Sequence, residues 1–191
     1  MKRLFFGGIS ILVILLTCAS AAPQHINGDR FKREFLDRIN AVRAKGCNCG
    51  VIYFPPAPPL KWNDDLEFAA RGHALDMSER NYFSHTSMNG RSMSDRALDA
   101  GYGFKGYKTY AVGENIAQGQ MSIPEVMNGW IRSEGHCRNL MNRAFKEVGV
   151  AEIDHYWVQD FGGREAFSPR EQEMIKSGRY KLIQKEVSAG H

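Results

Sequence analysis

Little in this chain of 191 residues favours nucleic acid. The formal net charge is +4, and no cluster of Lys and Arg gathers on one expected helix face, so the footprint of a DNA or RNA binder is missing. Internal repeats and low-complexity tracts are lacking too, which excludes repeat arrays. The spacing His-Glu-x-x-His does not occur, which removes the helical zinc-peptidase arrangement. Cysteines are few, four in all. Cys47-Asn48-Cys49 has no second ligand pair at zinc-ribbon spacing, so a zinc site ranks below a disulfide. The apolar run from Leu4 to Thr17 is too short to cross ~30 Å of hydrocarbon, which takes roughly 20 residues, so no stable membrane span is expected.

That run belongs to a tripartite N-terminus. Lys2 and Arg3 precede it, and Ala19-Ser20-Ala21 follows with small residues where a signal peptidase reads. Residues 1–21 therefore read as a signal peptide cut before Ala22, and the protein as secreted or periplasmic. A lipoprotein processed at Cys18 is the rival fate. Leu15-Leu16-Thr17-Cys18 resembles a lipobox, but Thr17 is bulky where such boxes carry smaller residues. Removal of the segment takes two positive charges and one cysteine with it. Cys47, Cys49 and Cys137 remain, and a bridge from one of the first two to Cys137 leaves one odd thiol.

What remains has the length of one domain. Phe31, Phe35, Leu36, Ile39 and Val42 recur at helical spacing, predicting a helix over about 28–45 that ends at Gly46. An apolar strand candidate begins at Gly50 and runs into the rigid connector Pro55-Pro56-Ala57-Pro58-Pro59. Asn63 caps a second helix over about 64–79, with Leu66, Ala69, Ala70, His73 and Met77 on one stripe. His73 on that stripe reads as a hydrogen-bonded core histidine. Residues 92–100 predict a short helix and 111–117 a short strand. Ser122-Ile123-Pro124-Glu125 reads as a capping box opening a helix with Val126, Met127, Trp130 and Ile131 inward, broken at Gly135. Residues 148–153 and 156–161 predict a hairpin across Asp154-His155. Ser168-Pro169-Arg170-Glu171 reads as a second capping box, and the charged end of the chain frays.

Gly101-Tyr102-Gly103-Phe104-Lys105-Gly106 matches Gly-x-Gly-x-x-Gly but follows a helix and opens none, so it reads as a loop and not a dinucleotide site. Three other segments carry ionisable groups at the edges of elements: Asn81 to Thr86 with His85, Val112 to Ala117 with Glu114, and Trp130 to Asn139 with His136. Glu114 in an apolar strand needs a partner if buried, and the two imidazoles are candidates.

Taken in order, these segments resemble the CAP superfamily (cysteine-rich secretory, antigen 5 and pathogenesis-related-1; the SCP domain) in its short bacterial form. The resemblance covers about Phe31 to Gly162. It rests on Pro58-Pro59-Leu60-Lys61-Trp62-Asn63, His73 with Asp76-Met77, Tyr82-Phe83-Ser84-His85-Thr86, Gly113-Glu114-Asn115-Ile116-Ala117, Trp130 with Ser133-x-Gly135-His136, and Tyr156-Trp157-x-Gln159-Asp160-Phe161-Gly162. It implies an α+β fold, a three-layer α-β-α sandwich with a small, mainly antiparallel central sheet. The division it implies is a signal peptide over 1–21, the CAP domain over 28–162, and a charged extension with a short helix over 163–191.

The resemblance also implies a cleft lined by two histidines and two acids. His85, Glu114 and His136 match three of the four, and they are expected to converge. Ser133 stands where the second acid would be, which weakens any metal site; Glu134, one residue on, is not promoted in its place. The bridge is expected between Cys49, which opens an extended stretch, and Cys137, with Cys47 free and facing solvent. The implied function is a secreted, monomeric, non-enzymatic binding module for a small apolar ligand such as a lipid, for a cell-surface component, or for a weakly held divalent cation (zinc or calcium). The alternative is a metal-dependent hydrolase or peptidase using His85, Glu114 and His136.

Overall fold

A computed structural model describes residues 24–180, with the side chains described from residue 28 onward. The expected signal peptide and Cys18 lie outside the described residues. Among the described residues, six helices and six strands follow one another: α1 (Gln24–Lys45), β1 (Cys47–Cys49), β2 (Ile52–Phe54), β3 (Lys61–Trp62), α2 (Asp64–Arg80), α3 (Met93–Asp99), β4 (Tyr107–Gln118), α4 (Ile123–Arg132), α5 (Glu134–Met141), β5 (Glu147–Ile153), β6 (Tyr156–Ala166) and α6 (Pro169–Lys176).

The central sheet has the order β3-β5-β6-β4. β5, β6 and β4 are antiparallel, and the two-residue β3 joins β5 in parallel. Alternation splits the sheet into two faces. Ile116, Ala151, Tyr156 and Val158 pack on Ala70, Ala74 and Met77 of α2. Val148, Val150, Trp157 and Phe161 pack on Phe35 and Ile39 of α1 and on Val126, Met127 and Trp130 of α4. Helices therefore cover both faces, and the architecture is the α-β-α sandwich. β6 lies at its centre and is buried from Tyr156 to Gly163.

The close seat of α2 depends on Gly149. A Cβ there would fall on the Glu67 backbone nitrogen, so only glycine lets the helix backbone rest on β5. Arg43 holds the opposite layer. It is fully buried, and its guanidinium donates to the carbonyls of Pro58, Leu140, Asn142 and Phe145 at 2.7–3.4 Å. Burial, with repulsion from Arg143, pushes its pKa down to about 10.

Several elements differ from the sequence reading. The stretch after Gly46 is not one strand but the hairpin β1–β2, turning at Gly50-Val51, with β3 beyond the prolines. β4 starts at Tyr107 and β6 continues to Ala166, several residues past the apolar runs that announced them. Gly135 is not the helix breaker. α4 ends at Ser133, whose extended ψ of 124° also starts α5, and Gly135 sits inside α5. Ser122 does cap α4, but Glu125 reaches back to the Met121 N–H at 2.9 Å, not to Ser122. Cys47 does not face solvent freely, since it shares a face of β1 with Cys49 and packs, half-buried, against the Cys49–Cys137 disulfide.

Candidate functional site

β4 is an edge strand, and the site forms around it. Glu114 points from β4 toward the α2–α3 layer, in register with Asp160 of β6. Asn115, its neighbour, points toward α5. There Asn115 Nδ2 donates to the His136 carbonyl at 3.2 Å, and Asn139 Nδ2 donates to the Glu114 carbonyl at 3.0 Å. These bonds tie α5 to the strand beside Glu114. The Cys49–Cys137 disulfide, with Cα atoms 5.4 Å apart, ties the same helix to β1 one residue past His136.

The Glu114 side chain is 3% exposed and His85 is 58% exposed. His85 Nδ1 lies 2.7 Å from Glu114 Oε1. The other oxygen, Oε2, accepts from Arg96 Nη2 at 2.6 Å. Arg96 comes from the buried face of α3, and its Nη1 also donates to the His85 carbonyl, to Ser87 Oγ and to the Arg91 carbonyl, each at 3.1 Å. The carboxylate must carry the acceptor role, so His85 holds its proton on Nδ1 when neutral and leaves Nε2 as an acceptor.

His136 is half-buried, and burial together with repulsion from His85 lowers its pKa. His73 is fully buried. Its Nε2 donates to the Ser84 carbonyl at 2.8 Å and stands 4.0 Å from Glu114 Oε2. Burial is the first cause that lowers its pKa, against the attraction of Glu114. It is a hydrogen-bonded core histidine that supports the segment carrying His85.

Asp160 is buried, and as a carboxylate neither oxygen has a partner. Burial, and then the Glu114 charge opposite, push its pKa well up. Ser133 occupies the break between α4 and α5 and its hydroxyl makes no cap bond. Glu134 turns away to Arg138 at 2.5 Å.

The structure thus pairs His85 with Glu114, sets the His136 backbone beside Asn115, the next residue of β4, and adds Arg96 and Asp160, which the sequence reading missed. A resident cation does not fit this donor set. Both Glu114 oxygens are taken, one by a permanent guanidinium charge that would face the ion at close range. Among the described residues, the three potential ligands within 4.8 Å of one another are Cys47, Cys49 and Cys137, and two of these are spent in the bridge. Two open concavities among the described residues lie elsewhere. One of about 370 Å³ is lined by Phe104, Tyr107 and Arg164, and one of about 410 Å³ by Arg30 and Arg38. His85 is largely exposed and His136 is half-buried.

An α-β-α sandwich with a histidine–glutamate pair at its sheet edge defines a class, and its relatives identify it. The chain belongs to the CAP family: the model of the cysteine-rich secretory protein family matches residues 36–161. It is 31% identical over 147 residues to YkwD of Bacillus subtilis (strain 168), covering 76% of this chain and 51% of that protein. It is 31% identical over 146 residues to the membrane protein YlbC of the same organism, covering 73% and 38%. The chain therefore spans about half the length of the first curated relative and less of the second. An extracellular SCP-domain protein from Bacillus anthracis superposes with a TM-score of 0.59 at 32% identity, over 71% of this chain and 40% of that one. An outer surface protein of Borrelia burgdorferi shares the fold at 20% identity and a TM-score of 0.54, over 74% and 95%.

Proposed function

We propose that this protein is exported and acts outside the cytoplasm as a non-enzymatic binding module, taking a hydroxyl-rich cell-surface component at the edge formed by His85 and His136. The observation that carries the reading is the posture of His85: Nδ1 is fixed at 2.7 Å by a buried carboxylate while 58% of the side chain is exposed. Such an imidazole presents Nε2 outward as an oriented acceptor. His136, held neutral by its lowered pKa, offers a second uncharged ring. Polar imidazole nitrogens suit hydroxyl and amide groups better than a purely apolar chain. Phe83, 48% exposed two residues before His85, offers an exposed aromatic ring in the same segment. The open edge favours an extended ligand over a small apolar one enclosed in a pocket.

Export rests on the tripartite N-terminus and is supported by the likeness to an extracellular SCP-domain protein. Among the described residues, no helix is long and apolar enough to cross a membrane. The mature chain is expected to begin at Ala22, which N-terminal sequencing of exported protein reads directly.

Binding is tested by applying the mature protein to a printed array of bacterial and host surface polysaccharides. Wild type should be retained on at least one class. His85→Ala and His136→Ala should weaken that binding by about tenfold or more, equivalent to ~1.4 kcal/mol, while keeping the wild-type unfolding midpoint. Retention on no class, or equal retention of both variants, overturns the reading.

A further inference from the structure

Cys47 and Cys49 are two residues apart on β1, so their side chains leave the strand on one face, and that face meets Cys137 on α5. The three sulfurs lie within 4.8 Å of one another. Cys49 and Cys137 form the disulfide and are fully buried, whereas Cys47 is a half-buried free thiol. Its Sγ stands 3.5 Å from Cys137 Sγ, which is van der Waals contact. Ala57, Met141, Val42 and Phe54 enclose the group on its inner side. The strand pairing repeats the alternation, since Cys47 is opposite Phe54 and Cys49 opposite Ile52. Either cysteine can therefore serve as the partner of Cys137 with the hairpin intact.

We propose that these residues form a thiol–disulfide exchange site whose substrate is the protein's own bridge. The Cys47 thiol gives its proton to water, and the thiolate sulfur attacks Cys137 Sγ. The Cys47–Cys137 bond forms as the Cys49–Cys137 bond breaks, and the electron pair leaves on Cys49 Sγ, which takes a proton from water. One thiol and one disulfide stand on each side, so no external oxidant or reductant is consumed. Attack falls on Cys137 because that is the sulfur in contact with Cys47. The gap must close to a bond length of ~2.05 Å, a shift that side-chain rotation with a small slide of β1 supplies.

The two covalent isomers differ in what they show to solvent. With Cys49 bridged, the odd thiol is the half-buried Cys47, open to small disulfides. With Cys47 bridged, the odd thiol is Cys49, withdrawn in the core. The exchange also ties α5, one residue past His136, to a point on β1 nearer the end of α1.

The experiment uses the full mature protein in its oxidised form. Samples held at about pH 8 for increasing times are unfolded at about pH 4, where too little thiolate remains for exchange. They are then alkylated with N-ethylmaleimide. Reduction, iodoacetamide treatment and fragmentation of the tryptic peptide 46–61 locate the maleimide. The expected result is a shift of label from Cys47 toward Cys49 with time at pH 8, reaching a plateau. Label on Cys47 alone at every time overturns the proposal. Cys49→Ser is the second arm. It should form the Cys47–Cys137 bridge and take up no maleimide after unfolding, whereas two maleimides per chain contradict the exchange.

Discussion

Arg96 reaches Glu114 from inside the α2–α3 layer, and both side chains are more than nine-tenths buried. The pair fixes the carboxylate that in turn fixes His85. Removing one member of a buried ion pair strands the other, which costs about 3–5 kcal/mol. Arg96→Met is therefore expected to lower unfolding stability in urea by about that amount, and a loss under ~1 kcal/mol would place the pair among exposed ones. Arg96 was legible in part. It follows Met93 by three residues and precedes Ala97, the other inward residues of α3, so a cation stood on an apolar stripe. The sequence reading saw that a buried Glu114 needs a partner but gave the role to the imidazoles or to a divalent cation shared with them. Asp160 was quoted only as part of a motif, because nothing local marks which residue of a strand buried on both faces lacks a donor.

Asp160 and the histidines oppose one another in pH dependence. Burial and the Glu114 charge raise the folded pKa of Asp160. Its contribution to stability is present below the unfolded value of about 3.9 and is lost as pH rises through the folded one. His73 and His136 are shifted down, chiefly by burial. Their contribution is complete above about pH 6.5 and is lost as pH falls from there through the folded values. Asp160→Asn keeps a neutral donor opposite Glu114 and removes the penalty. Its urea midpoint should exceed wild type near pH 7, with a gain that shrinks toward about pH 4. In that background the midpoint should fall between about pH 7 and 5.5 as the histidines protonate. A lower midpoint than wild type throughout contradicts the assignment of Asp160 as a neutral acid.

At the scale of elements, caps were legible and strand lengths were not. Ser122 Oγ accepts from the Glu125 N–H at 3.4 Å and Ser168 Oγ from the Glu171 N–H at 3.3 Å. The helices they open differ in what they bury. α4 places Val126, Met127 and Trp130 in the core, whereas α6 buries nothing. Ser122→Ala should cost about 0.5–1 kcal/mol of global stability. Ser168→Ala should leave the global midpoint unchanged and speed amide exchange in α6 alone. Equal midpoint losses in both variants would contradict this division. β6 outran its apolar signal, which stops at Phe161 before Gly162 and Gly163. They are strand residues kept free of side chains, and a Cβ on Gly162 would fall on the Tyr102 ring. The Asp154-His155 turn was legible from its flanking runs; both residues take positive φ, 48° and 66°, as a two-residue hairpin turn requires.

At the scale of the molecule, the sandwich brings together groups that no local pattern joins. His85 arrives from the segment after α2 and pairs with Glu114 of β4, while α5, which carries His136, is tied to the same strand through Asn115 on the other face of the sheet. Order along the chain was enough to name the family. The state of each ring depended on Arg96, on the depth of Glu114 and on the seating of α5, which are properties of packing. The most direct test is a long-range proton–nitrogen NMR spectrum of the imidazole side chains, followed across pH. With both layers seated as described, neutral His85 carries its proton on Nδ1, leaving Nε2 bare toward solvent, and His136 titrates below the ordinary value of about 6.5. A neutral His85 protonated on Nε2, or a His136 that titrates at the ordinary value, would contradict the account.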